Sequence, residues 1–521
     1  VADGARRMAA HLQRQGWAPG SRVAILSKNC AWWLMSDLAI WMAGHVSVPL
    51  YPTLAPETIR QILEHSEAKA LFVGKLDGWD SMKAGVPAGL PCISYALSPD
   101  DAKQRYEGWD AICAREAPLA GAPVRAADEL CSLIYTSGTT GLPKGVMHSF
   151  GAFGWAITTG VERFGLTHAD RMLSYLPLAH VVERMLVEHG WLRTGMHVFF
   201  AESLDTFAAD LQRARPTVFF SVPRLWVKFQ QGILHKMPQK KLDRLLKLPL
   251  IGGLVRLKIR KALGLDQCRI AAGGAAPMPL ALLEWYAGLG LPINEGYGMT
   301  ENLAISHITL PGQNQRGTVG TPYDGVQARI DPGSGELEMR SPAVMMGYYK
   351  EPEQTRAAFT ADGWLRTGDK GRLDETNGCL RITGRVKDLF KTSKGKYVAP
   401  APIEDRLGMH PAVEACVVTG ANLGQPLGVV MLSPDAVERS AGSESQRAEL
   451  ATQLSAHLDD INARLDPHEQ MECLVVIRTP WTIDNGFITP TFKVKRNRVE
   501  EVYGPRYEDW VAGHKKIVWG D

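Results

Sequence analysis

The eight cysteines are scattered, and no two stand as C-x-x-C. That spacing excludes a cysteine-built zinc site and a disulfide framework, and it fits a reducing compartment such as the cytosol. Long apolar runs are also missing. None reaches the roughly 18 residues a membrane-spanning helix needs, and the richest stretch, Leu34 to Leu50, is interrupted by Asp37 and His45. Charge of one sign is scarce: 58 Lys and Arg against 55 Asp and Glu leave a net +3, too little to argue for a nucleic-acid partner. There is no solenoid-type repeat and no signal-peptide pattern. There is no initiating Met either; Val1 opens directly on a helical pattern of Ala5, Met8 and Leu12, so a short preceding segment is expected.

What is present is an ordinary globular composition, 45% hydrophobic and 22% charged, in 521 residues. That length exceeds one core and implies several subdomains. The first 130 residues alternate strand and helix patterns. Arg22–Leu26 reads as a strand, Trp32–Gly44 as a helix, Val46–Leu50 as a strand, Glu57–His65 as a helix and Ala70–Val73 as a strand. Strand–helix–strand alternation predicts a parallel, doubly wound sheet.

The most informative stretch is Tyr135-Thr136-Ser137-Gly138-Thr139-Thr140-Gly141-Leu142-Pro143-Lys144-Gly145, which follows the apolar run Leu130–Ile134. Four Ser/Thr hydroxyls and three glycines stand within eleven residues. Glycine lets backbone N–H groups turn toward one point, hydroxyls add donors and Lys144 adds a point charge, so the loop suits a polyphosphate. It is not a Walker loop, because Pro143 precedes the lysine and Gly145 follows it. The plain alternative is a Gly/Ser/Thr surface loop. The whole run resembles the phosphate loop of the adenylate-forming superfamily, which comprises acyl-CoA synthetases, luciferases and peptide-synthetase adenylation domains.

Further segments occur in that superfamily's order. Val48-Pro49-Leu50-Tyr51-Pro52 reads as core and wall. Leu176-Pro177-Leu178-Ala179-His180, followed by Glu183-Arg184, and Ser221-Val222-Pro223-Arg224-Leu225-Trp226 look most like the long-chain fatty acyl-CoA synthetase branch. His180 falls just past a strand end, where α/β sheets place ligands; the resemblance puts it at the border of the acyl pocket. Trp226 reads as core, with a tunnel-lining role as the alternative. From Lys236 to Lys261 nine Lys or Arg residues face one acid, Asp243, with leucines at helical spacing. A solvated helical face is the first reading, and weak peripheral contact with the inner membrane face by a cytoplasmic protein is the alternative.

Arg269 to Pro277 is a small-residue stretch that lets a flat ring approach the backbone. By resemblance Gly274, Ala275 and Ala276 wall the adenine. In Asn294-Glu295-Gly296-Tyr297-Gly298-Met299-Thr300-Glu301 the resemblance implies that Tyr297 stacks on the base, Thr300 contacts phosphate and Glu301 holds Mg²⁺, a hard cation that carboxylates suit. Gly317–Met346 reads as a small distorted β-barrel. Asp369, closing Gly363–Asp369, would accept from both ribose hydroxyls, and Arg385 would contact the nucleotide. Asp388 marks the hinge, and Lys394 and Gly395 match the segment that meets the CoA arm. The family's Pro-Ser-Gly-Lys stands here as Pro490-Thr491-Phe492-Lys493, which aligns Lys493 with the essential lysine; Lys495 lies close by. Residues 433–450, rich in Ser, Glu, Ala and Arg, read as a solvated loop.

The resemblance implies an α/β fold. A large part, 1–386, holds doubly wound sheets and the barrel, and a small mobile α+β part, 387–521, is hinged near Asp388. It implies an acid–thiol ligase that uses ATP, Mg²⁺ and coenzyme A to convert a medium- to long-chain fatty acid to acyl-AMP and then acyl-CoA. The catalytic set is Lys493, Glu301, Thr300 and His180. The nucleotide set is Thr136, Ser137, Gly138, Thr139, Thr140, Gly141, Lys144, Gly274 to Ala276, Glu295 to Thr300, Asp369 and Arg385. The competing readings are an acyl-AMP ligase that loads a carrier protein, a luciferase-like oxygenase, and a non-catalytic nucleotide- or carboxylate-binding module. The last is expected to have lost Lys493, Glu301 or Lys144, and all three are present.

Overall fold

Strands rich in Val, Ile and Leu, with helices between them, pair in parallel because each crossover returns the chain to the same edge. Arg22–Leu26 lies between Val46–Leu50 and Ala70–Val73, parallel to both. Their inner residues, among them Val23, Ile25, Val48, Leu71 and Phe72, are almost wholly buried; each such side chain contributes about 1.5–3 kcal/mol. The computed structural model describes every residue except 122, 138–142, 311, 314, 484, 490–492 and 521, and at Ser137 the backbone only. Residues Gly138, Thr139, Thr140 and Gly141 of the expected phosphate loop therefore lie outside the described residues.

The first sheet has eight strands, in the spatial order Gly347–Tyr348, Pro143–Ser149, Leu130–Ser137, Val46–Leu50, Arg22–Leu26, Ala70–Val73, Cys92–Ser94 and Glu107–Gly108. Beyond the parallel part that the first 130 residues predict, one edge of the sheet is antiparallel. The strands flanking the phosphate loop, Leu130–Ser137 and Pro143–Ser149, run antiparallel, with Thr136 opposite Lys144. These two strands pair with each other as a β-hairpin, and residues 138–142 between them lie outside the described residues. A helix, Phe150–Phe164, begins only after the hairpin, with Ser149 Oγ accepting from Ala152 N–H at 3.1 Å.

A second sheet orders Val218–Ser221, Ile270–Gly273, Ile293–Tyr297, His307–Ile308 and Thr321–Pro322. Where the barrel is expected, four antiparallel strands form a small sheet: Gln327–Ile330, Glu336–Arg340, Leu365–Leu373 and Leu380–Arg385. The C-terminal part is α+β, with a sheet of Val413–Thr419, Leu427–Leu432, Leu474–Ile477 and Ile517–Trp519. Residues 433–450 are not the loop their composition suggests. They form the helix Pro434–Ala441 and the start of Glu444–Asn462. Pro434 stands at the first helical position, and Ser443 and Gln446 close a capping box. Leu450, Leu454, Leu458 and Ile461 line one buried face, an amphipathic stripe hidden within a polar composition.

Behind the hairpin lies a buried ionic cluster. Arg184 begins a π-helical turn, Arg184–His189. Its guanidinium pairs with Asp37 and, at 3.1 Å, with Glu188, all three at 0% exposure. It also donates to Ser132 Oγ and Ser47 Oγ, which are register partners on adjacent strands. The rings of Trp33, Trp41 and Phe153 stand 5.5–5.6 Å from the guanidinium carbon. Trp226 is fully buried, in keeping with its core reading.

Candidate active site

The C-terminal edges of both large sheets, the small sheet and the C-terminal part enclose one cleft of about 2210 Å³. Thr136, Lys144, His180, Gly274 to Ala276, Glu295 to Glu301, Asp369, Arg385, Asp388 and Lys493 all line it. The chain brings these together from positions more than 350 residues apart. Lys394 and Gly395 are the exception. They sit on the exposed turn joining Phe390–Lys391 to Tyr397–Val398, with Gly395 at φ +78°, and do not line the cleft.

Sheet register sets the first group. Asp369 and Arg385 are directly opposed on antiparallel strands, and Arg385 Nε donates to Asp369 Oδ1 at 3.1 Å. Tyr297, at the end of its strand, donates its hydroxyl to Asp369 Oδ2 at 2.7 Å. Burial and the Asp369 charge hold the Tyr297 phenol well above its usual range, so it stays a donor. The carboxylate still has lone pairs for further donors. The small-residue wall beside it is sterically required at Gly274, where a Cβ would stand 2.7 Å from Gly296 O. Its neighbour Ala275 has φ +67°, a strained conformation for a non-glycine residue.

The second group is built on the hairpin. Glu301 lies in the single turn Thr300–Asn302. Tyr348, paired with Val146 on the hairpin strand, donates its hydroxyl to Glu301 Oε1 at 2.8 Å. The face of the same ring stands 5.4 Å from Lys144 Nζ. His148, fully buried on that strand, has Nε2 2.7 Å from Thr300 O. Burial pushes its imidazole down to about 4, so the neutral ring donates there. Met345 N–H donates to Glu301 O at 2.8 Å. Sequence reasoning misses Tyr348 and His148. The available signals were an aromatic pair after Gly347 and a lone histidine within the strand Pro143–Ser149. Among the described residues no group of three or more His, Cys, Asp or Glu could hold a metal. A single carboxylate fits Mg²⁺, which is usually bound by one or two carboxylates together with substrate phosphates.

The third group surrounds Lys493. Its backbone is fixed by Thr489, whose Oγ1 accepts from Lys493 N–H at 3.0 Å and whose N–H donates to Lys493 O at 2.8 Å. The side chain is open to water inside the cleft and forms no ion pair among the described residues. Burial within the surrounding protein mass and the nearby Arg385 pull its pKa down, and Asp369 partly opposes them. His180 feels the same field. Burial and then Lys493 push it down to about 4, while its Nδ1 accepts from Val182 N–H at 3.3 Å. Arg496, three residues on, donates to Val418 O at 2.7 Å, pairs with Glu404 and stands 3.9 Å from Asp388. Glu295 is buried, and its carboxyl is pushed up to about 7. Asp405 is pushed up to about 8 by burial, by Glu404 and by Glu295.

A phosphate-suited hairpin, an aromatic and small-residue wall and an oriented carboxylate in one cleft have the chemistry of a nucleotide site. Comparison with known proteins agrees. Residues 1–349 match the family described as AMP-binding enzyme, and 387–510 match the AMP-binding enzyme C-terminal domain. The long-chain-fatty-acid–CoA ligase FadD15 of Mycobacterium bovis is 32% identical over 98% of this chain and 91% of its own. The peroxisomal long chain acyl-CoA synthetase 6 of Arabidopsis thaliana is 29% identical over 94% and 78%. Among solved structures, the A-PCP didomain of carboxylic acid reductase from Segniliparus rugosus, in complex with AMP, superposes with a TM-score of 0.80 at 25% identity, covering 98% of this chain and 75% of that one. The chain belongs to the AMP-binding enzyme family, within the adenylate-forming superfamily. Enzymes of this family use ATP, Mg²⁺ and coenzyme A.

Proposed function

We propose that the protein is an acid–thiol ligase that activates a medium- to long-chain fatty acid in two steps. The observation that carries this reading is the meeting of Lys493 with Arg385, Asp369 and His180 in the cleft that Glu301 and Lys144 also line. In the first step an acid oxygen bonds to the α-phosphorus of ATP as the bond to the pyrophosphate oxygen breaks. Two anions approach each other, so fixed positive charge is the main requirement, and positioning supplies the rest. Lys493 meets the α-phosphate, and Thr136, Lys144 and their loop hold the outer phosphates. Tyr297 and Gly274 to Ala276 bracket the adenine, Asp369 and Arg385 orient the ribose, and Thr300 contacts phosphate. Glu301 would hold Mg²⁺ beside the phosphates, where the bound ion offsets their charge. His180 stays neutral beside the acid.

In the second step the CoA sulfur bonds to the adenylate carbonyl and AMP leaves. Lys493 has to withdraw, so residues from about 387 onward turn on Asp388 and bring Lys394 and Gly395 to the cleft. Their position outside it suits an arrangement made for the first step. Chain length is supported by the relatives' substrates and by apolar walls that include Leu166, Val182, Met185, Leu186 and Tyr323. All eight cysteines are unpaired, as a reducing cytosol would keep them. A second reading, transfer to a carrier protein in place of CoA, draws on the likeness to the A-PCP didomain. Acid-dependent pyrophosphate release from acetate to stearate, with and without CoA, tests both. Turnover that needs CoA and peaks at long chains is expected. A peak at short or aromatic acids overturns the substrate, and turnover with a carrier protein but not CoA overturns the acceptor.

A further inference from the structure

A helical hairpin on the N-terminal part carries two apolar faces, and only one is packed. Its helices are Gln239–Lys247 and Ile251–Leu263. The inner sides bury Leu242 and Ile259 against Leu289, with Val255 beside them. The outer side exposes Leu248 (45%), Leu250 (89%), Ile251 (46%), Leu254 (68%) and Leu257 (38%). Among the described residues these are five of the fourteen large hydrophobics that stand exposed, gathered within ten positions. Leu250, Leu254 and Leu257 recur at helical spacing on the side of the second helix opposite Val255 and Ile259. Scattered apolar side chains on a surface mean little; a cluster of this kind marks an interaction face.

Charge is sorted in the same way. Arg256 and Arg260 turn inward, donating to Gly288 O at 2.9 Å and Gly290 O at 3.2 Å. Lys240, Lys241, Arg244, Lys247, Lys258 and Lys261 are exposed, and among the described residues none forms an ion pair. Leu250, at the tip between the helices, has φ +63°, a region costly for leucine, and that backbone presents the most exposed large hydrophobic of the cluster to solvent. The same conformation closes the tight turn between the helices, Ile251 N–H donating to Pro249 O at 2.7 Å, so the turn itself holds that side chain outward.

We infer that this hairpin docks the protein on an anionic phospholipid bilayer, its leucines entering the headgroup boundary and its lysines meeting lipid phosphates. Charge selects this occupant over a second copy. A two-fold contact through this face would set cations against cations, since Asp243 is the single acid from Lys236 to Lys261. The inference stands whichever acid the cleft accepts.

The test is sedimentation of the whole chain with vesicles of phosphatidylcholine alone or mixed with phosphatidylglycerol. Binding is expected to the mixed vesicles, to weaken with salt, and to fall at least about tenfold on phosphatidylcholine alone. Leu250→Asp with Leu254→Asp should cut it by about tenfold or more. Lys240→Gln, Lys241→Gln and Lys247→Gln should each cut it by about fivefold. Both sets should keep the wild-type melting transition and acid-dependent pyrophosphate release without vesicles. Equal binding of variants and wild type, or no binding to either vesicle, overturns the proposal. So does a dimer in solution that the leucine substitutions dissolve.

Discussion

Arg184 is a cation sealed inside the protein and Lys493 a cation open to the cleft, and their surroundings differ in kind. Arg184 has no contact with water, pairs with two carboxylates, donates to two hydroxyls and lies among three aromatic rings. Each guanidinium nitrogen has a partner inside the protein, and none faces water or a ligand. Lys493 faces the cleft, forms no ion pair among the described residues, and has its pKa pulled down by its surroundings. A cation taken from water costs free energy unless something completes it. For Arg184 the protein completes it, and the result is a rigid platform of adjacent strands behind the phosphate hairpin. Lys493 is instead open to water in the cleft and pairs with no carboxylate among the described residues, which leaves it available to an incoming anion.

The strongest way to break this contrast is to remove each cation. Lys493→Ala should lower acyl-CoA formation by about a thousandfold or more while leaving the melting temperature unchanged, because the side chain is open to water and its loss strands no buried partner. A variant that melts early would make Lys493 structural. Arg184→Met should do the reverse, destabilising the fold by roughly 3–5 kcal/mol in urea titration because Asp37 and Glu188 remain buried without their cation. Replacing all three with apolar residues should recover most of that loss. If Arg184→Met unfolds at the wild-type midpoint, the platform reading fails.

Two smaller effects sharpen the same comparison at the hairpin. His148 is held at about 4 in the fold against 6.5 unfolded, so the unfolded chain takes up its proton first. Stability from this ring is complete above pH 6.5 and drains as pH falls toward 4, by up to roughly 3 kcal/mol. In His148→Phe that acid-sensitive contribution should vanish, so the urea midpoints of variant and wild type should converge between pH 6.5 and pH 4. Parallel curves would contradict the assignment. Tyr348→Phe removes only the hydroxyl on Glu301 and should raise the Mg²⁺ concentration needed for half-maximal turnover by about tenfold, the usual cost of losing a group that orients a metal-binding carboxylate.

Much of this was legible in the sequence, for identifiable reasons. The strands Arg22–Leu26, Val46–Leu50 and Ala70–Val73 were readable because burial on both faces leaves continuous apolar runs. Asp369, Tyr297 and Glu301 were singled out because Gly363–Asp369 and Asn294–Glu301 resemble superfamily motifs, and the structure brings all three to one cleft. Tyr348 and His148 act through hydrogen bonds across chain separations of 47 and 152 residues, and no local pattern encodes such a distance. The helix Glu444–Asn462 was hidden because its four buried residues are outnumbered by polar ones that face water. The antiparallel phosphate hairpin was unreadable because a Gly/Thr-rich turn gives no direction to the strand that follows it.

The most direct test of the central claim separates the two half-reactions in Lys493→Ala. Adenylate formation is read as acid-dependent pyrophosphate release, and thioester formation as acyl-CoA made from supplied acyl-adenylate. The account predicts that the first is lost and the second kept near the wild-type rate. Equal loss of both, or retention of the first, would contradict it.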